Sequence, residues 1–180
     1  MAGRTPQHAV KAFLEPIRLA LSCVTMSQVS RSGDTADEHV LLLGDRGQPV
    51  ALRCTSGDPL AMRLGQHYQV VRAEGQRGPW KVKITAYYYT LEDENGAEIL
   101  SYQWHPKGPS PVIYPHLHLG AAAVVGHQHL AKAYVPTGRV PLERFLWLLL
   151  DGFHVRPARS NWKDVLVKTR KKFEQWRTWE

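Results

Sequence analysis

Cysteine is scarce in this chain: its 180 residues contain two, Cys23 and Cys54. With no C-x-x-C step and no paired spacing, neither a disulfide framework nor a thiolate zinc site is encoded, and both thiols are expected in apolar, buried surroundings. Long apolar runs are missing too. A membrane span needs about 20 consecutive apolar residues, and the longest run, Phe145 to Leu150, reads as part of a buried helix. The opening segment carries Arg4, Lys11, Glu15 and Arg18 where a signal peptide would be apolar, and no small-residue cleavage site follows, so a cytoplasmic protein is expected. Several catalytic signatures are also absent: the G-x-S-x-G elbow, the G-x-x-x-x-G-K-[ST] phosphate loop, H-E-x-x-H, and a G-x-G-x-x-G after a strand. Their absence removes the main support for hydrolase, nucleotide-triphosphatase, metzincin and dehydrogenase chemistry.

What is present is an ordinary globular balance, 43% hydrophobic and 22% charged, of single-domain length. Thr5 followed by Pro6 predicts a helix start, and Val10, Phe13, Leu14, Ile17, Leu21 and Val24 draw one apolar stripe after it. Pro16 is expected to kink or break that helix. Ser27 to Asp37 reads as a polar loop. Val40 to Leu43 and Val50 to Cys54, joined by Gly44-Asp45-Arg46-Gly47, read as a hairpin. Tyr68 to Ala73 and Trp80 to Leu91 form a second pair. Simple alternation along the latter assigns Lys81, Lys83, Thr85, Tyr87 and Tyr89 to one face and Val82, Ile84, Ala86 and Tyr88 to the other. Asp93-Glu94-Asn95-Gly96 turns the chain into a return strand, Ile99 to Trp104. The stretch from His105 to Pro141 is irregular, and two helices follow, one from Leu142 closed by Gly152 and one from Asn161. The expectation is a single α+β domain over residues 1–180: an antiparallel sheet of about five strands, with the N-terminal helix and the two C-terminal helices packed on one face.

The charge is uneven. The formal net charge is +7, and from Phe153 onward eight cations (Arg156, Arg159, Lys163, Lys168, Arg170, Lys171, Lys172, Arg177) face three carboxylates, Asp164, Glu174 and Glu180. Such a local field favours a polyanion, nucleic acid and RNA above all, or an acidic protein partner. A solvated helix face explains it as simply. Arg139, Arg156 and Arg159 have the guanidinium geometry for bidentate phosphate contact, or for structural salt bridges. Lys168, Lys171 and Lys172 would add point charges. On the assigned alternation, Lys81 and Lys83 stand beside Tyr87 and Tyr89, an arrangement that stacks bases if exposed and builds a core if covered.

Five of the nine histidines, His105, His116, His118, His127 and His129, fall close together. Pro115-His116-Leu117-His118-Leu119 is an H-x-H step whose two imidazoles project to one side of an extended chain. One protonated and one neutral imidazole could cleave a phosphodiester by acid–base catalysis. Satisfaction by backbone carbonyls and metal binding are the other uses of such a cluster. Against metal, Gly120 to Leu130 offers no carboxylate ligand. No cofactor or metal is therefore expected. His127-Gln128-His129 ranks below the first pair because Gly126 flanks it.

The order Tyr87-Tyr88-Tyr89, acidic turn to Gly96, return strand ending Tyr102-Gln103-Trp104-His105, then Pro115-His116-Leu117-His118 resembles TumE-type toxins of bacterial toxin–antitoxin pairs. The likeness runs from Tyr87 to Phe153. The family's Asp-Asn step stands here as Trp104-His105, and the chain before Tyr87 and the final helix are additional. The resemblance implies a toxin acting on nucleic acid or translation, neutralised by an antitoxin, with His116 and His118 the matched residues. The functional expectation is a nucleic-acid-binding protein and metal-independent ribonuclease. In it His116 and His118 share acid and base roles, His105 assists, and Arg139, Arg156 and Arg159 hold phosphate. The alternative is a non-enzymatic adaptor or regulatory protein that binds DNA or an acidic partner through the basic C-terminal helix.

Overall fold

The computed structural model describes residues 2–35, 37–55, 57–72, 78–108, 110–124, 130 and 133–176. Twelve elements follow in chain order: β1 (Ala2–Gly3), α1 (Pro6–Leu21), β2 (Val29–Arg31), β3 (Glu38–Leu43), β4 (Val50–Leu52), β5 (Leu60–Arg72), β6 (Trp80–Glu92), β7 (Glu98–Trp104), β8 (His116–Leu119), β9 (Tyr134–Pro136), α2 (Leu142–Trp147) and α3 (Trp162–Trp176). The protein is α+β. Its strands form one antiparallel sheet of nine among the described residues, in the order β2-β3-β5-β6-β7-β8-β9, with β1 added to β6 and β4 to β5. Five strands was too few. Strands of two to four residues, such as β1, β2, β4, β8 and β9, are too short to print an alternation that sequence reading can detect.

The long strands β5 and β6 organise the rest. Each has 13 residues, enough to carry two partners along its outer edge. β3 and β4 therefore both pair with β5 rather than with each other, which corrects the expected hairpin across Gly44–Gly47. The residues that read as a loop from Ser27 include β2, which pairs with β3.

The α1 N-terminus forms as its residues dictate: Thr5 Oγ1 accepts from the His8 backbone N–H at 3.2 Å, and Pro6 occupies the first turn, where its missing N–H costs nothing. The helix then runs unbroken through Pro16, which is buried with Phe13, Leu14, Ile17 and Leu21 on the apolar stripe. One missing backbone bond is outweighed by that burial, about 1.5–3 kcal/mol for each large side chain removed from water. Phe13 packs on Tyr68 of β5, and Phe145 of α2, fully buried, stacks on Tyr89 and meets Tyr102 edge-on. Val165 and Leu166 bring α3 to the same core. Helix α2 continues into a π-turn, Leu148–Gly152, before the chain leaves the layer. The helices thus cover one face of the sheet. No helix among the described residues is long and apolar enough to cross a membrane.

The face assignment along β6 needs correction. The register slips between the pairs His67↔Ala86 and Tyr68↔Ile84, which leaves Thr85 as an extra residue on β6. A bulge of this kind reverses the parity of everything beyond it. Val82 and Ile84 face the helices, and so do Tyr87, Tyr89 and Leu91, all buried. Lys83 and Tyr88 face the other way. Tyr87 and Tyr89 are core residues, and the lysines do not accompany them.

A histidine cluster and a basic helical side

Strand β8 pairs Gln103 with His116 and Ser101 with His118, so both imidazoles lie on the face that the helices leave uncovered, beside Tyr88 of the next strand but one. Their surroundings differ. His116 is 3% exposed, and its Nδ1 lies 2.9 Å from the Tyr114 carbonyl. A carbonyl only accepts, so the proton sits on Nδ1 and Nε2 keeps a lone pair. That Nε2 is buried and has no hydrogen-bond partner. His118 is partly open, its Nδ1 2.5 Å from Oε1 of Glu98, both side chains 27% exposed. The carboxylate fixes the ring and leaves Nε2 as the second functional atom. Tyr134 of β9 touches both, edge-on to His116 at 5.1 Å and stacked on His118 at 5.4 Å, and Tyr114 meets His116 edge-on at 6.0 Å. Both tyrosines are exposed.

His105 follows the end of β7 and stacks over Tyr88 at 6.5 Å. Burial lowers its pKa, and His67 and His116 lower it further, so it is neutral at neutral pH. His67 is the functional-type residue that sequence reading misses. It lies on β5 in alternation with Arg63 and Gly65, opposite Met62, Leu64 and Tyr68; Gly65 and the polar Gln66 interrupt the apolar alternation, so sequence reading starts the strand only at Tyr68 and leaves His67 outside it. Gly65 serves the cluster by omission: a Cβ there would lie 2.4 Å from the Tyr88 ring. The histidines His127 and His129 lie outside the described residues. Among the described residues no group of three or more His, Cys, Asp or Glu side chains is arranged to hold a metal ion.

The cations are elsewhere. Arg139 lies over the Trp104 ring at 3.8 Å, on the helix-covered side, and loss of water lowers its pKa. Arg156 is exposed, and its backbone N–H bonds the Arg53 carbonyl. Arg159 joins two elements: Nη1 donates to Ser22 Oγ at 3.1 Å and Nε to Asn161 Oδ1 at 3.3 Å, tying the approach to α3 to the end of α1. Lys168, Lys171 and Lys172 are exposed on α3, which packs against α1. Lys172 Nζ reaches Glu15 of α1 at 3.6 Å, and Arg170 pairs with Glu174 along α3. Lys11 and Arg18 flank Glu15 by one turn on either side and are exposed. The structure therefore brings His67, His105, His116 and His118 to one face and α3's cations to the opposite side of the sheet. No family model, curated protein or solved structure matches the chain.

Proposed function

We propose that this protein binds nucleic acid, RNA in particular, through the cations of its helical side. The observation that carries this reading is the exposure of Lys168 and Lys171, which make no ion pair among the described residues, on a helix that packs against α1, where Lys11 and Arg18 are exposed as well. Closely spaced cations on a rigid surface gain from releasing the counterions of a phosphate chain. Reversal of both charges, Lys168→Glu with Lys171→Glu, is expected to weaken binding of single-stranded RNA at least tenfold in fluorescence anisotropy. The salt slope should fall by about 0.7 for each phosphate no longer neutralised by a lysine. Unchanged affinity and slope would refute the reading. The adaptor version, with DNA or an acidic protein on the same helix, is recognised by binding that these reversals abolish without RNA being favoured.

The enzymatic form of the proposal is a metal-independent ribonuclease of toxin type on the uncovered face, with an acidic antitoxin as partner. The partly exposed His118–Glu98 pair favours it. His118 Nε2 takes the proton of an attacking 2′-hydroxyl, the 2′-oxygen bonds phosphorus, and the bond to the 5′-oxygen breaks as that oxygen receives a proton. The exposed phenol of Tyr134, stacked on His118, stands beside it as donor. His116 contributes through the packing of the strand pair, since its Nε2 is sealed, and His105 remains a neutral neighbour. Cleavage of total RNA in chelator should drop about a hundredfold in His118→Ala and respond weakly to His116→Ala. No cleavage by the native protein, or cleavage indifferent to His118, removes the enzyme.

A further inference from the structure

We infer that two copies of this chain join edge to edge through β9, as a two-fold dimer centred on Tyr134. The sheet path ends at β2 and at β9, and neither has a strand beyond it among the described residues. An open edge offers unpaired backbone groups to another chain, and charge is a common protection. The β2 edge has that protection: Arg31, its last residue, pairs with Asp34 at 2.8 Å. The β9 edge lacks it. Tyr134, Val135 and Pro136 are all exposed, and between Gly108 and Arg139 the sequence has a single charged side chain, Lys132, in a chain that is 22% charged.

The backbone phase of β9 fixes how a partner fits. Thr137 N–H donates to the Pro115 carbonyl at 2.8 Å, in register with the β8–β9 pairs, so Thr137 and Val135 turn their backbone groups toward β8. Tyr134 and Pro136 therefore turn theirs outward. Proline has no N–H, which leaves Tyr134 as the residue of β9 that offers both a donor and an acceptor on this edge. A two-fold axis through a Tyr134–Tyr134 pair uses both groups in each copy, the N–H of one donating to the C=O of the other. The same pairing sets the two phenol rings side by side on the uncovered face, an aromatic cross-strand pair, each ring still stacked on its own His118. Val135 and Leu130, 40% and 45% exposed, widen the apolar contact.

Charge selects a second copy among the occupants. Each copy has a formal net charge of +7, so like molecules meet at least cost where local charge is lowest, which is this edge. A polyanion or an acidic protein is drawn instead to the cations of α3. Pro136 keeps the pairing short, and a two-fold contact consumes the edge, so the assembly closes at two copies.

Sedimentation velocity over a concentration series up to about 1 mM, where weak complexes still form, tests this. The native chain is expected to pass reversibly from monomer to dimer. Added salt should leave the dimer unchanged or tighten it, because it screens the repulsion between like-charged copies. Tyr134→Lys sets like charges opposite each other and should weaken the dimer at least about tenfold. Val135→Glu should weaken it as well, whereas Ser30→Lys on β2 should not, with circular dichroism confirming that all three fold. Tyr134→Cys under a mild oxidant should give a covalent dimer, since paired Cα atoms about 5.5 Å apart suit a disulfide, and Ser30→Cys should stay monomeric. A chain that is monomeric throughout, a dimer indifferent to Tyr134→Lys and Val135→Glu, or a dimer that salt disperses overturns the β9 contact.

Discussion

Tyr88 sits between Tyr87 and Tyr89 in sequence, yet the three tyrosines experience opposite conditions. Tyr89 is fully enclosed: burial drives its phenol pKa far up, and its hydroxyl oxygen accepts from Gln66 Nε2 at 2.6 Å. Tyr87, stacked on it at 4.8 Å, accepts the Val140 backbone N–H at 2.8 Å, and burial pushes its pKa up to about 12. Tyr88 is half-buried on the uncovered side, packed over Gly65 and against His105. One face uses phenols as hydrogen-bonded core, the other uses a phenol as a wall for an imidazole. The difference teaches that residue type alone does not set the role. The extra residue Thr85 decides which tyrosines turn inward.

The contrast can be broken from the covered side first. Phe145→Ala, which empties the space above Tyr89 and Tyr102, is expected to cost about 3–5 kcal/mol in chemical denaturation. A loss below about 1 kcal/mol would mean that α2 is not part of the core. Tyr89→Phe should cost less, about 1–3 kcal/mol, because it strands the Gln66 amide, whose Oε1 already lacks a partner. An unchanged melting curve would show that Gln66 finds water instead.

The smallest effect is expected on the uncovered side. Gly65→Ala must displace the far end of the Tyr88 ring, a movable group, at about 1 kcal/mol. Its sharper consequence is electrostatic. His105 has a folded-state pKa below its ordinary value near 6.5, so its contribution to stability is present above that value and lost as pH falls through the lowered pKa. Exposing the ring in Gly65→Ala should raise the folded pKa and weaken this acid sensitivity, visible as a shifted His105 titration by NMR. A titration identical to that of the native protein would separate Tyr88 from the lowering.

Elements whose signal is local were legible. The Thr5-Pro6 start, the stripe of α1, the Asp93–Gly96 turn, the Gly152 stop and the start near Asn161 each depend on a few neighbouring side chains, and the structure has them where expected. The α+β class followed from their order. Strand partners were not legible, since β3 and β4 choose β5 through contacts made far along the chain. Neither was the bulge, because nothing in the run Ile84-Thr85-Ala86-Tyr87 announces an extra residue. At the candidate site, H-x-H correctly implied two imidazoles on one side of a strand. It could not show that one would be sealed against Tyr114 while the other met Glu98, which depends on β7 and β9 as well. The gathering of His67 with His105 likewise depends on sheet order, and the cations' position depends on which face α3 covers.

The sheet has a mechanical consequence as a partition. α3 packs on α1 and α2, on the helix-covered side of the strands, and His118 projects from the sheet's other side. A flexible polyanion touching both must pass around the rim of the partition, and a short oligomer can satisfy only one side at a time. Polymer length, more than sequence, would then govern whether gripping and contact with the imidazoles occur together.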